Sequence, residues 1–146
     1  MRIEEAKDVL SKMQGDRGLV AVCVDDSGNF IFPHRDLYEA KWRGLISDAK
    51  SKTSTKLGTN ILVQVPNGVN VVFLCVKTQS EAGMVLSYKG LSSSLLWLKQ
   101  SALAFSPDDF RIDLKMNVPN YNWKNVNFLL DAHFRHLNLQ VFSHQG

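Results

Sequence analysis

Strands alternating with helices along 146 residues predict a layered α/β fold with a mixed sheet. Three observations carry this expectation. The β-branched run "GLVAVCV" (18–24) reads as a buried strand. Tyr88, Leu91, Leu95, Leu98, Ala102 and Phe105 recur at helical spacing and form the clearest apolar stripe in the chain. Pro66-Asn67-Gly68 divides "NILVQVPNGVNVVFLCV" into two apolar halves, and Asn-Gly is a strong hairpin signal, so a purely parallel sheet is disfavoured. The length suits one ordinary domain spanning 1–146.

The elements follow in order. "IEEAKDVLSKM" sets Ile3, Ala6, Leu10 and Met13 at helical spacing, which predicts a short helix over 3–13. After the strand at 18–24, "DDSGN" is a turn by composition and "FIF" a short strand stopped by Pro33. Tyr38, Trp42, Leu45, Ile46 and Ala49 share a helical face, predicting a helix over 36–50 with Asp36 as its cap. "KSKTSTKLGT" (50–59) and "KTQSEAG" (77–83) read as polar loops around the hairpin. The helix from Tyr88 ends at Ser106-Pro107. "FRIDLKMNV" (110–118) alternates like a strand with one covered face, and Asn122 is a natural helix cap. Val126, Leu129, Leu130, His133, Phe134 and Leu137 form the face of a last helix, and "LQVF" (139–142) closes the chain as a strand.

Composition narrows the classes. Hydrophobic residues make up 45% of the chain, enough for a core and against disorder. A net charge of +3 and a pI of about 8.9 permit an anionic partner without demanding one. Cys23 and Cys75 each lie inside an apolar run, the usual setting of a buried free thiol. No Cys/His pattern has zinc spacing, and His133 and His136 have no acidic or histidine partner at ligand distance in sequence. No cofactor is therefore expected. "MRIEEAKDVL" lacks an apolar signal core and no run approaches a membrane span, so the expected setting is intracellular and cytoplasmic, without membrane contact. Ser92-Ser93-Ser94 is not framed by a nucleophile elbow.

From about Leu57 to Phe142 the order of elements resembles a macrodomain, the ADP-ribose-binding fold. The resemblance is to the small subfamily that removes ADP-ribose from acidic side chains. "LSYKGLSSSLLWLKQ" (86–100) is similar to that subfamily's strand and helix opened by an aromatic residue. "FRIDLKMNV", "PNYN", "WKNVNFLLDAHF" and "LNLQVF" stand where a strand, the phosphate loop, a helix opened by Trp, and the closing strand stand. The resemblance implies a three-layer α/β/α macrodomain-like fold with a mixed central sheet. It also implies ADP-ribose or a related nucleotide as ligand.

The resemblance assigns roles residue by residue. Asp8 is the nearest counterpart of the aspartate that holds the adenine amine, in competition with the helix at 3–13. Asp26, Gly28 and Asn29 fall in the loop that carries the distal ribose, where Gly28 is what is left of a glycine run; a plain charged turn is the alternative for the aspartates. Lys77 stands near a catalytic lysine; the alternative is a solvated lysine at a strand end. Asn120, Tyr121 and Asn122 occupy the phosphate loop, which has no glycine and includes Pro119, a residue without an N–H for an anion. Tyr121 would stack on a base or lie across the groove and close it. Backbone N–H groups from Asn122 to Lys124 are expected to face an anion at the helix start. Trp123 is expected to pack beneath the last helix. The loop has amides where the hydrolases carry an aspartate, and an amide is neither base nor nucleophile. The expectation is therefore a divergent ADP-ribose-binding module without efficient hydrolysis; whether it is an enzyme stays open at this point, and any activity would be ADP-ribosyl hydrolysis through Lys77. The alternative is an interaction module on the same scaffold, of viral or phage type, that binds RNA or a host protein.

Overall fold

The computed structural model describes residues 2–5, 18–27, 35–42, 44–52, 55–64, 68–105, 109–114, 118, 121–136 and 140–143. The elements are β1 (Arg2–Glu5), β2 (Gly18–Asp25), α1 (Arg35–Lys41), α2 (Leu45–Lys52), β3 (Asn60–Val63), β4 (Asn70–Ser80), β5 (Gly83–Leu86), α3 (Tyr88–Phe105), β6 (Asp109–Asp113), α4 (Trp123–Phe134) and β7 (Gln140–Ser143). The seven strands among the described residues form one sheet in the order β1-β7-β6-β2-β4-β3, with β5 beside the far half of β4. Pairings among β1, β7, β6, β2 and β4 are parallel, whereas β3 and β5 run antiparallel to β4. The sheet is thus mixed, as the hairpin signal required.

Both faces of the sheet are covered. Leu19, Ala21 and Cys23 of β2 join Val72, Leu74 and Val76 of β4 against Leu91, Leu95 and Leu98 of α3 and Val126, Leu130 and Phe134 of α4. The alternate residues Val20, Val22, Val24, Val71, Phe73 and Cys75 pack on the other face with Tyr38, Trp42 and Ile46. Period-two alternation on two central strands thus divides the apolar residues between two cores, giving three layers.

Four local expectations are corrected. Residues 2–5 are a strand, not the start of a helix: Ile3 pairs with Val141 on β7, and this backbone ladder outweighs a weak helical periodicity. The single helix over 36–50 is two helices. Leu45 N–H donates to Trp42 O at 3.1 Å, and Gly44 takes a φ of 79°, a backbone state that glycine adopts cheaply. Trp42 stacks on Tyr38 with ring centroids 5.7 Å apart and donates its indole N–H to Val69 O at 2.8 Å, so it ties the break to the chain entering β4. Asp36 lies in the first turn of α1 rather than at its cap, and Leu45 is exposed. The polar segment 77–83 is not a loop: β4 continues to Ser80, turns at Glu81-Ala82 and returns as β5. Ser80 Oγ closes that turn, donating to Gly83 O and accepting from Ala82 N–H. Finally, β6 ends at Asp113, short of Val118. The expected strand at 30–32 and residues 6–13 lie outside the described residues.

The remaining elements match their patterns. Ser87 opens α3, its Oγ accepting from Gly90 N–H at 3.0 Å. Gly90 also lets another chain segment approach: a Cβ there would lie 3.1 Å from Ser87 Oγ and 3.5 Å from the backbone nitrogen of Gly58. Burial of Leu95 is complete, whereas Phe128 on the outer side of α4 is 72% exposed. Leu95→Ala should therefore destabilise the protein by about 3 kcal/mol through transfer and cavity terms. Phe128→Ala should change stability by less than about 0.5 kcal/mol. Equilibrium urea unfolding of the two variants checks the contrast.

Candidate functional site

Open α/β sheets hold ligands beyond the carboxyl ends of parallel strands, where successive connections leave in opposite directions. That point here is β2, flanked by β4 on one side and β6 on the other. From β2 the chain first builds the β3–β4 side, then crosses through α3 to β6. Asp25 and Asp26 leave the end of β2, Lys77 lies beside them on β4, and α4 starts after β6.

The register at this end is broken. Val24 pairs with Cys75 but Asp25 pairs with Lys77, so Val76 is an extra residue on β4. Such a bulge turns the following side chain to the other face of a strand. Without it, the alternation of Val71, Phe73 and Cys75 would send Lys77 toward α1 and α2. With it, Lys77 falls opposite Leu86 of β5, a residue of the core beneath α3 and α4. Cross-strand partners share a face. The solvated-lysine alternative is thereby corrected: Lys77 is 1% exposed. Burial lowers its pKa, while Cys23, Asp25 and Asp113 act in the opposite direction.

The acidic residues are held as firmly. Asp25 is buried, and its Oδ2 accepts from Ser27 N–H at 3.2 Å. Asp26 is half-buried; its N–H donates to Lys77 O at 2.9 Å, and its Oδ2 accepts from Thr78 Oγ1 at 2.9 Å. These bonds make Asp26 part of a built corner rather than a freely solvated turn. Asp113, at the end of β6, accepts from Tyr38 Oη at 2.9 Å and is buried with it on the α1 side. Sequence reasoning missed this pair, because nothing local links residues 75 positions apart.

The start of α4 is self-capped. Asn122 Oδ1 accepts from Lys124 N–H at 2.9 Å, the cap that the sequence predicted. Asn122 N–H donates to Tyr88 Oη at 2.7 Å. The expectation that the amides of Asn122 to Lys124 face an anion is therefore corrected: two of the three donate within the protein. Tyr121 is half-buried against the α3/α4 core, and burial raises its pKa, with Cys23 and Tyr88 adding to the rise. Trp123 also packs on that core. His133 approaches Ser92 Oγ at 3.4 Å; burial, with Lys99, lowers its pKa. Among the described residues no group of His, Cys, Asp or Glu has metal-site geometry. Among the described residues no helix is long and apolar enough to cross a membrane.

No protein-family model and no curated protein matches the sequence. Solved structures do match. The macrodomain of Mycobacterium tuberculosis DarG superposes with a TM-score of 0.72 at 10% identity, covering 99% of each chain. A macrodomain protein from Streptomyces coelicolor does so at 0.68 and 15% identity, covering 88% of each. Thermosipho africanus DarTG, solved in complex with ADP-ribose, gives 0.66 at 14% identity over 87% of this chain and 38% of that longer one. The chain has a macrodomain fold.

On this macrodomain fold, four of the residues predicted for the site fall at the same end of the sheet: Asp26, Lys77, Tyr121 and Asn122. Asp8, Gly28, Asn29 and Asn120 lie outside the described residues. Tyr88 was legible only as the aromatic residue opening a helix; its bond to Asn122 crosses 34 positions.

Two expected outcomes follow from the buried groups. Burial pushes Cys23 up to about 12 and Cys75 up to about 11, so both thiols should react with a disulfide reagent at least about a hundredfold more slowly in native than in unfolded protein, as stopped-flow labelling at neutral pH would read. For Lys77 the native state binds fewer protons than the unfolded chain between its lowered pKa and the usual value of about 10.4. The contribution of Lys77 to stability therefore rises with pH across that window, against the opposite trend that the two raised thiols contribute above about pH 9. Lys77→Met should remove that contribution, read as a stability difference from the wild type that changes with pH in urea unfolding up to about pH 10.

Proposed function

We propose that this chain is a divergent macrodomain-fold module that binds ADP-ribose or a related nucleotide without efficient hydrolysis. One observation carries the reading: on a macrodomain fold, an acidic corner at Asp26, a buried lysine at Lys77 and the Tyr121-Asn122 loop stand together at the ligand end of the sheet. An ADP-ribose-bound structure of the same fold supports the ligand class. Asp26 is suited to a ribose hydroxyl and Lys77 to the field of a pyrophosphate. The residues from Val118 to Trp123 include no carboxylate, which supports the lack of efficient hydrolysis.

The second reading, a macrodomain scaffold that binds RNA or a protein in place of ADP-ribose, is favoured by one observation. The amides of Asn122 and Lys124, which an anion at the α4 start would use, are engaged within the chain. Calorimetry and thermal unfolding with ADP-ribose separate the two. The nucleotide reading expects a measurable heat and, at a hundredfold excess over Kd, about 2.7 kcal/mol of added stability. No heat and no shift at millimolar ADP-ribose, with a salt-sensitive gel shift of RNA, would transfer the conclusion to the second reading.

A further inference from the structure

The glycine-free loop leaves open which donors meet the anionic part of a ligand, and the tyrosines give an answer. Tyr88 begins α3 immediately after Ser87, whose N–H donates to Val76 O at 2.8 Å, so α3 starts at the bulge residue, and Tyr88 packs on the core beneath it. Its Oη accepts from Asn122 N–H at 2.7 Å. A phenol oxygen that accepts one N–H still has its own O–H to donate, and accepting a bond polarises that O–H. Among the described residues none takes this proton. Tyr121 is the neighbour of Asn122 in sequence, packs on the same core as Tyr88 and interacts with it electrostatically. Two phenols thus flank the start of α4, where Asn122 N–H and Lys124 N–H are already used.

Resting on the nucleotide-binding reading, we infer that Tyr88 and Tyr121 are the anion-contacting residues of the site, their hydroxyls donating to the diphosphate in place of the backbone amides of a glycine-rich loop. The relay runs from Asn122 N–H to Tyr88 Oη and from the Tyr88 O–H to a phosphate oxygen, so the helix start acts on the ligand through a side chain. The loop then needs no glycine, because a phenol reaches a ligand from farther away than a main-chain amide.

The test titrates ADP-ribose, inorganic pyrophosphate and adenosine into the wild-type protein, Tyr88→Phe and Tyr121→Phe, read by calorimetry and by amide NMR of the α4 start. The expected result is that each Phe variant binds ADP-ribose and pyrophosphate about tenfold more weakly, with adenosine unchanged. ADP-ribose binding that is unaltered in both variants overturns the inference and leaves the nucleotide reading standing. An equal loss for adenosine assigns the tyrosines to loop structure alone and also overturns it. Failure of the wild-type protein to bind ADP-ribose removes the nucleotide reading and this inference together. Tyr121→Phe keeps the test informative if Tyr88→Phe unfolds, since Tyr88 rather than Tyr121 holds the loop backbone.

Discussion

The parallel pairing of β2 with β4 is the constraint on which the rest of the molecule hangs. All eight residues of β2 are buried, and the pairing runs from Leu19–Asn70 to Asp25–Lys77. Each face of this pair supplies one wall of a core, so α1 and α2 dock on one side and α3 and α4 on the other. The one interruption in that ladder, at Val76, is also what turns a buried lysine to the face covered by α3 and α4. Architecture and site are therefore set by the same strand pair. Asp25 and Asp113, in the same electrostatic neighbourhood, offset part of the cost that burial imposes on the protonated form of this lysine.

The site differs from the usual solution to phosphate binding at a strand-to-helix junction. That solution exposes main-chain N–H groups through glycine. In this chain the junction closes on itself, with the Asn122 side chain capping α4 and Tyr88 taking the Asn122 amide. What the junction adds is side-chain chemistry: the phenols of Tyr88 and Tyr121, both packed on the α3/α4 core. A glycine-free loop is consistent with a ligand once the donors are sought on side chains.

Much of the fold was legible because its signals are long or two-sided. The α3 stripe and the β-branched run of β2 extend over enough residues to outvote noise, the Asn-Gly signal separates two strands that do pair antiparallel, and Asn122 announces its cap by residue type. The misreadings occur where local pattern and tertiary demand conflict. Ile3 and its neighbours carry helical spacing but complete an outer pair with β7. Residues 36–50 keep one apolar face across Gly44, so periodicity cannot show that the backbone breaks there. At the site, the identities of Lys77, Asp26 and Tyr121 were readable, but not their burial or partners. The bulge, the Tyr38–Asp113 bond and the Tyr88–Asn122 bond all join residues distant in sequence, and no local pattern encodes them.

The self-capped start of α4 also bears on the kinetics of recognition. A loop whose amides wait for a ligand gains order only when the ligand arrives, and association then carries that entropy and the time needed to search for the closed form. Here folding has already fixed the Asn122 backbone through its own side chain and through Tyr88. A ligand bound as proposed would meet the junction as it stands in the free protein. Encounter should resemble rigid docking, with selectivity residing in how long a bound molecule stays rather than in how fast the site assembles around it.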